Sequence, residues 1–479
     1  MCYNILYMTT RGDYMINSKV TNISNIRKKN IPYMISWMFF YSWMVSFFTW
    51  WVNNFKTSNI FSEKSLYSIY FLSLLFVGII IFIIKPEKFK SYFKIGTIFT
   101  MIFLVTYHGF IQFNFTKYLK YSVVMLSLSI GVSYVGLLLI YIYIMNNTEK
   151  FYSSILGNIL LMLIALIENF KVLDITNNYI FLVVILFVSM LPLTKFNTKD
   201  YLNEKKEHKP TAPKISKTMY LSVILNCIFM IFCRGVGRAL ILLTNDMYSF
   251  DLEVYYYAGG VVGIILIILI YTYIRKCNSI TWNLIFSSFV FAAFLYMWPT
   301  SGLMKGIFAF VLGICVMMGI ISMYYMVGII SKKYWNYSYI KYNILAIDVL
   351  GCCIGTTLGN YIYKCNDTNI IIIILTISVF IVLVTLITSP IMTTTFFSGE
   401  WDIDSTKAII DNENIRKYMG YNLTKREIEI CNCLEKNLTV RQIAADMNIS
   451  ENTVKFHKKQ IFKKLNINSK EEISDKIKD

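Results

Sequence analysis

Between residues 31 and 392 the chain repeats one pattern, a long apolar run followed by a short polar break. Twelve such runs lie near residues 31–53, 66–84, 95–114, 119–145, 153–170, 178–194, 218–243, 254–274, 280–299, 303–331, 339–363 and 369–392. A helix needs about 20 apolar residues to cross the hydrocarbon core of a bilayer, and it satisfies its own backbone polar groups there. The pattern therefore predicts an all-α chain whose main part is a polytopic bundle of about twelve membrane-spanning helices. After Pro390 the periodicity changes. Residues 393–422 read as a polar linker holding one short helical stretch, DSTKAIIDNENIRKYMG, and residues 423–479 as four short amphipathic helices.

The longest internal hydrophilic stretch, residues 195–217, divides the membrane region into halves of six runs, 31–194 and 218–392, behind an N-terminal tail of residues 1–30. Composition agrees with a membrane protein: 56% of residues are hydrophobic, only 15% are charged, and the mean hydropathy is +0.53. Soluble domains carry about 25% charged residues. The net charge of +18 is unevenly placed. Lys and Arg number 22 in the N-terminal tail and the even-numbered loops, against 7 in or at the edges of the odd-numbered loops. The positive-inside rule then puts both termini and the 195–217 loop in the cytoplasm, in a bacterial inner membrane. Arg27-Lys28-Lys29 precede a first run with no small-residue cleavage site after it, the mark of an uncleaved signal-anchor. Ten cysteines are scattered without ligand spacing and read as small buried hydrophobes. No metal, cofactor or catalytic constellation is expected, and the reading is not that of an enzyme.

Ionisable residues inside spans are costly and default to functional candidates. Arg234 and Arg238 stand four apart in CRGVGRALILL, on one face of the seventh span. Two readings follow. Arg234 pairs with Glu168 at the outer end of the fifth span while Arg238 reaches the interface, or the two arginines form a pocket for an anionic or polar small-molecule ligand. Asp348 in the eleventh span is a candidate proton or cation site, or an ordinary interhelical hydrogen bond. Gly351, Gly355 and Gly359 form a close-packing face.

The tail carries the clearest start and stop signals. Thr424-x-x-Glu427 and Thr439-x-x-Gln442 are capping boxes, Ser450 caps a third helix with Glu451 in its first turn, and Ser469-x-x-Glu472 opens a fourth. Asn437 and Asn466 stand where the first and third helices should stop. Ile430, Cys431 and Leu434, then Ile443, Ala444 and Met447, then Val454, Ile461 and Leu465 form the inward stripes. A turn of about three residues, Asn448-Ile449-Ser450, joins the second and third helices. That is helix-turn-helix geometry, in which the later helix enters the major groove of double-stranded DNA. Its outward residues are Lys455, Phe456, Lys459 and Lys463.

These residues carry a resemblance. Leu423, Thr424, Arg426, Glu427, Ile443, Ala444, Ile449, Ser450, Thr453, Val454, Lys455, His457, Lys464 and Leu465 reproduce the pattern L-T-x-R-E, I-A, I-S-x-x-T-V-K-x-H and K-L of LuxR/NarL/GerE-type DNA-binding domains. The resemblance implies that Lys455, Phe456 and Lys459 meet base edges and that Thr453 meets phosphate. It also implies a homodimer on DNA, for which Ile473 and Ile477 are spaced to form an apolar pairing face, with RNA polymerase as a further candidate partner. The 6+6 layout in turn resembles the major facilitator superfamily. The loop after the second run, IKPEKFKSYFK, has none of that family's glycine, aspartate or arginine, which argues against active transport. A LuxR-type tail on twelve spans resembles a type of membrane-embedded bacterial transcription regulator. In such a chain the membrane domain is the sensor; the alternative is a secondary transporter carrying a regulatory DNA-binding domain.

Overall fold

The computed structural model describes residues 21–58, 89–113, 115–169, 179–191, 217–245, 251–273, 277–297 and 302–333, scattered positions between 358 and 388, and most of 423–473. Two compact units divide the chain, Met1–Ser398 and Gly399–Asp479. Among the described residues every regular element is helical.

In the membrane unit these are α1 (Ile31–Ser58), α2 (Phe89–Gln112), α3 (Thr116–Tyr143), α4 (Asn147–Asn169), α5 (Tyr179–Met190), α6 (Lys217–Asn245), α7 (Leu252–Tyr273), α8 (Cys277–Tyr296) and α9 (Gly302–Lys333). They coincide with nine of the twelve apolar runs. The run at 66–84 and nearly all of 339–363, with Asp348 and its three glycines, lie outside the described residues. Six helices among those described are long and apolar enough to cross a membrane: Lys90–Gln112, Lys117–Tyr143, Asn147–Ile167, Tyr220–Gly237, Leu252–Tyr273 and Gly302–Lys332.

Burial grades these helices by place. On α2 the side chains of Ile95, Ile98, Phe99, Ile102 and Val105 are exposed at helical spacing, a lipid-facing stripe. α3 and α9 are largely buried and form the middle of the bundle. α2 packs on α3, and α1 on α4 and α5; α9 packs on α7 and α8 and also reaches across to α3 and α4. Small residues make the tightest crossings. A Cβ on Gly259 would fall on the Phe310 carbonyl oxygen, and one on Gly313 on the Tyr256 carbonyl oxygen, so α7 and α9 meet backbone to backbone. Gly96 against Ser133 and Gly136 against Phe93 do the same for α2 and α3.

One end of this bundle is tied by a polar network. The Glu149 side chain is fully buried at the start of α4. Its carboxylate accepts from the Arg27 backbone N–H at 2.9 Å, Arg27 Nε at 3.2 Å, Asn30 Nδ2 at 2.7 Å and the Asn146 N–H at 2.7 Å. Asn146 Oδ1 accepts in return from the Glu149 N–H at 2.8 Å, which completes a reciprocal cap. Two buried lysines then join the two halves: Lys150 Nζ donates to the Gly328 carbonyl at 2.8 Å and Lys332 Nζ to the Met145 carbonyl at 3.1 Å. The N-terminal segment, the α3–α4 turn and the end of α9 thus meet at one face of the bundle.

Candidate nucleic-acid interface and membrane polar site

The tail comprises α10 (Lys425–Glu435), α11 (Val440–Met447) and α12 (Glu451–Leu465). Local chemistry sets three of the described boundaries. Thr439 and Gln442 form the expected capping box: the Thr439 N–H donates to Gln442 Oε1 at 2.9 Å and the Gln442 N–H to Thr439 Oγ1 at 3.3 Å. Ser450, with extended backbone, accepts from the Thr453 N–H at 3.1 Å and starts α12. Asn466 ends it at φ 55°, ψ 50°, the left-handed conformation that asparagine tolerates best after glycine. The Ile467 N–H then reaches back to the Phe462 carbonyl at 3.1 Å and its side chain turns into the core. Thr424, Asn437 and Asn448 lie outside the described residues.

Ile430, Cys431, Leu434, Ile443, Ala444, Val454, Ile461 and Leu465 are all buried in one core, as their spacing predicts; the Met447 side chain lies outside the described residues. Glu427, almost wholly buried, accepts from Lys464 Nζ at 2.7 Å and ties α10 to the end of α12. Ile473 is fully buried in this same core. Ile477 lies outside the described residues.

With the apolar stripe turned inward, α12 presents Lys455, Phe456, Lys459 and Lys463 on its exposed side. Thr453, half-buried, places its hydroxyl 2.8 Å from that of Ser450 at the N-terminal end. Backbone N–H groups at a helix start favour an anion, and the lysines supply charge along the helix. His457 is half-buried, with its ring edge-on to Phe456, and has a packing role.

The model of the LuxR family of bacterial regulatory proteins matches residues 421–476, the stretch that forms this core and this exposed face. The tail is a LuxR-family DNA-binding domain. Two solved structures resemble about three quarters of the chain. One is a major facilitator superfamily transporter, FucP, in the outward conformation: 9% identity over 76% of this chain and 99% of that one, TM-score 0.50. The other is the human organic anion transporter MFSD10: 9% identity over 75% and 99%, TM-score 0.50. At that identity the likeness is one of fold, so the LuxR-family domain follows a major-facilitator-type bundle. No curated protein matches the chain by sequence.

Inside the bundle that precedes the LuxR-family domain, Arg234 is half-buried on α6. Its charge acts on the hydroxyl of Tyr41, in α1 of the other half, and the Tyr256 hydroxyl belongs to the same electrostatic neighbourhood. Tyr41 donates to Asn158 Oδ1 at 3.3 Å and meets Tyr324 edge-on, with ring centroids 5.6 Å apart. Trp37 stacks on Tyr141 at 4.2 Å, and the Tyr134 and Tyr324 hydroxyls lie 3.4 Å apart. Residues of α1, α3, α4 and α9 thus converge on one aromatic and polar cluster, with Arg234 of α6 and Tyr256 of α7 within electrostatic range of Tyr41. The side chains of Arg238 and Glu168 lie outside the described residues, as does Asp348. Tyr41, Asn158, Tyr256 and Tyr324 were not singled out in the sequence, because aromatic residues in an apolar run read as packing.

Proposed function

We propose that this chain is a membrane-embedded, one-component transcription regulator. In this reading both termini are cytoplasmic, α12 reads double-stranded DNA as part of a homodimer, and the twelve-span domain in the bacterial inner membrane is the sensor. The observation that carries it is a LuxR-family domain, with its basic helix face uncovered, on the same polypeptide as a major-facilitator-type bundle. No receiver domain intervenes, so control passes from the membrane directly. Arg234 at the junction of the halves supports a sensing site for an anionic or polar small molecule. A positive charge in a low-dielectric setting holds an anion strongly, and a ligand that contacts both halves favours one arrangement of them over another. RNA polymerase is the natural recipient of the signal on DNA.

The transporter alternative keeps the same bundle and adds flux. It has the fold in its favour, while the α2 entry segment lacks the superfamily's glycine-aspartate-arginine loop.

The test is quantitative binding of the full chain to selected and to random duplex DNA. Lys455→Ala or Lys459→Ala is expected to cost about 1–3 kcal/mol at the selected site, the value of a base-edge contact. Lys463→Ala is expected to weaken binding to all sequences alike and to reduce the salt slope by about 1. Equal losses on both DNAs for all three variants would remove base reading from α12.

A further inference from the structure

Phe456 is the only exposed large hydrophobic side chain among the described residues of the tail, with 60% of its surface open to solvent. Folding does not call for it there. The core face of α12 is filled by Val454, Ile461 and Leu465, and the ring makes only an edge contact with His457, centroids 5.7 Å apart. Nor is the setting that of an apolar protein interface. Lys455 precedes the ring directly and Lys459 follows three residues later, both exposed, so a partner burying the ring would also have to desolvate ammonium groups. A polyanion carrying an apolar group meets both demands. In the major groove each base pair presents polar atoms, and the one apolar group on any base edge is the C5 methyl of thymine.

We infer that Phe456 selects thymine by packing its ring against that methyl group, with Lys455 and Lys459 beside it on phosphate or polar base edges. The inference rests on α12 being the DNA-reading helix and assigns the chemistry of one contact there. Because the ring is outside the core, Phe456→Ala leaves Val454, Ile461 and Leu465 in place and the domain folded.

The experiment uses the full-length protein in lipid nanodiscs. Its preferred duplex is selected from random sequence, and each thymine is then replaced in turn by deoxyuridine, which differs only in lacking the methyl. At one or two positions in each half-site the replacement is expected to lower affinity about four-fold, the factor that accompanies burial of one methyl-sized group. The penalty at those positions is expected to vanish in Phe456→Ala and to persist in part in Phe456→Leu, while the salt dependence set by the lysines stays. Deoxyuridine tolerated at every position, or a penalty unchanged in Phe456→Ala, overturns the inference. So does a Phe456→Ala variant that binds like the parent and fails only in transcription, which would assign the ring to RNA polymerase. If no sequence is selected over random DNA, the reading of α12 itself falls, and that result is distinct from a selected site insensitive to the methyl.

Discussion

Replacing Glu149 with alanine destabilises the membrane unit by about 3–5 kcal/mol, the range for removing one partner from a buried ionic network. The carboxylate is the common acceptor for Arg27, Asn30 and the Asn146 N–H. Without it the Arg27 N–H, the Asn30 amide and the Asn146 N–H lose their acceptor, the Arg27 guanidinium loses its counter-charge, and the α3–α4 turn loses its reciprocal cap. The effect should spread. Lys150 follows Glu149 in sequence and Met145 lies in the same turn, so both bonds that tie the halves at this end hang on the geometry Glu149 fixes. Cys227, Cys233 and Cys315 are buried thiols and provide the measurement. Labelling of these thiols by a fluorogenic maleimide on heating should move to a clearly lower midpoint in Glu149→Ala, with Glu149→Gln between it and the parent. An unchanged midpoint would show that the network is dispensable.

The second large effect concerns sensing. Changing Arg234 and Arg238 together to glutamine should reduce the response of a target promoter to its inducing condition to background. Protein level and the DNA affinity of the isolated tail should stay as in the parent. Glutamine keeps a hydrogen-bonding amide and removes the charge, so the loss would report on the charge of the two arginines. To move a two-state bundle from mostly one arrangement to mostly the other, a ligand must prefer one of them by about 10⁴-fold. A charge contact desolvated between the halves is one source of such a preference. Induction that survives the double change would make the arginines structural.

The two units were not equally legible. In the tail the start of α11 and both ends of α12 are written in a few adjacent residues. Thr439 with Gln442, Ser450 with the Thr453 N–H, and Asn466 in left-handed geometry act within one turn of where they stand. Local chemistry of that kind survives in sequence, and so did the three inward stripes. The burial of Ile473 was not legible, because an apolar residue at helical spacing looks the same whether it serves a partner or the domain's own core.

In the membrane unit the apolar runs announced the helices, and the lone glutamate at the edge of a span did not announce its role. Glu149 and Arg27 are 122 residues apart, and nothing local to either reveals the other. The reciprocal cap of Asn146-x-x-Glu149 was the one available signal. Likewise the sequence offered Arg234 a carboxylate partner or a ligand, and nothing local to it announced Tyr41 of α1 as a neighbour. That neighbourhood depends on how two six-helix halves face each other, which hydropathy does not encode.

The claim at the centre of this account is that membrane and DNA are coupled through one polypeptide. Genome-wide footprinting of the intact chain beside a chain of residues 393–479 alone, across growth conditions, tests it most directly. The account predicts that both occupy the same promoters and that only the intact chain changes its occupancy with condition. Occupancy by the short chain that varies in the same way, or an intact chain found at no promoter, would contradict it.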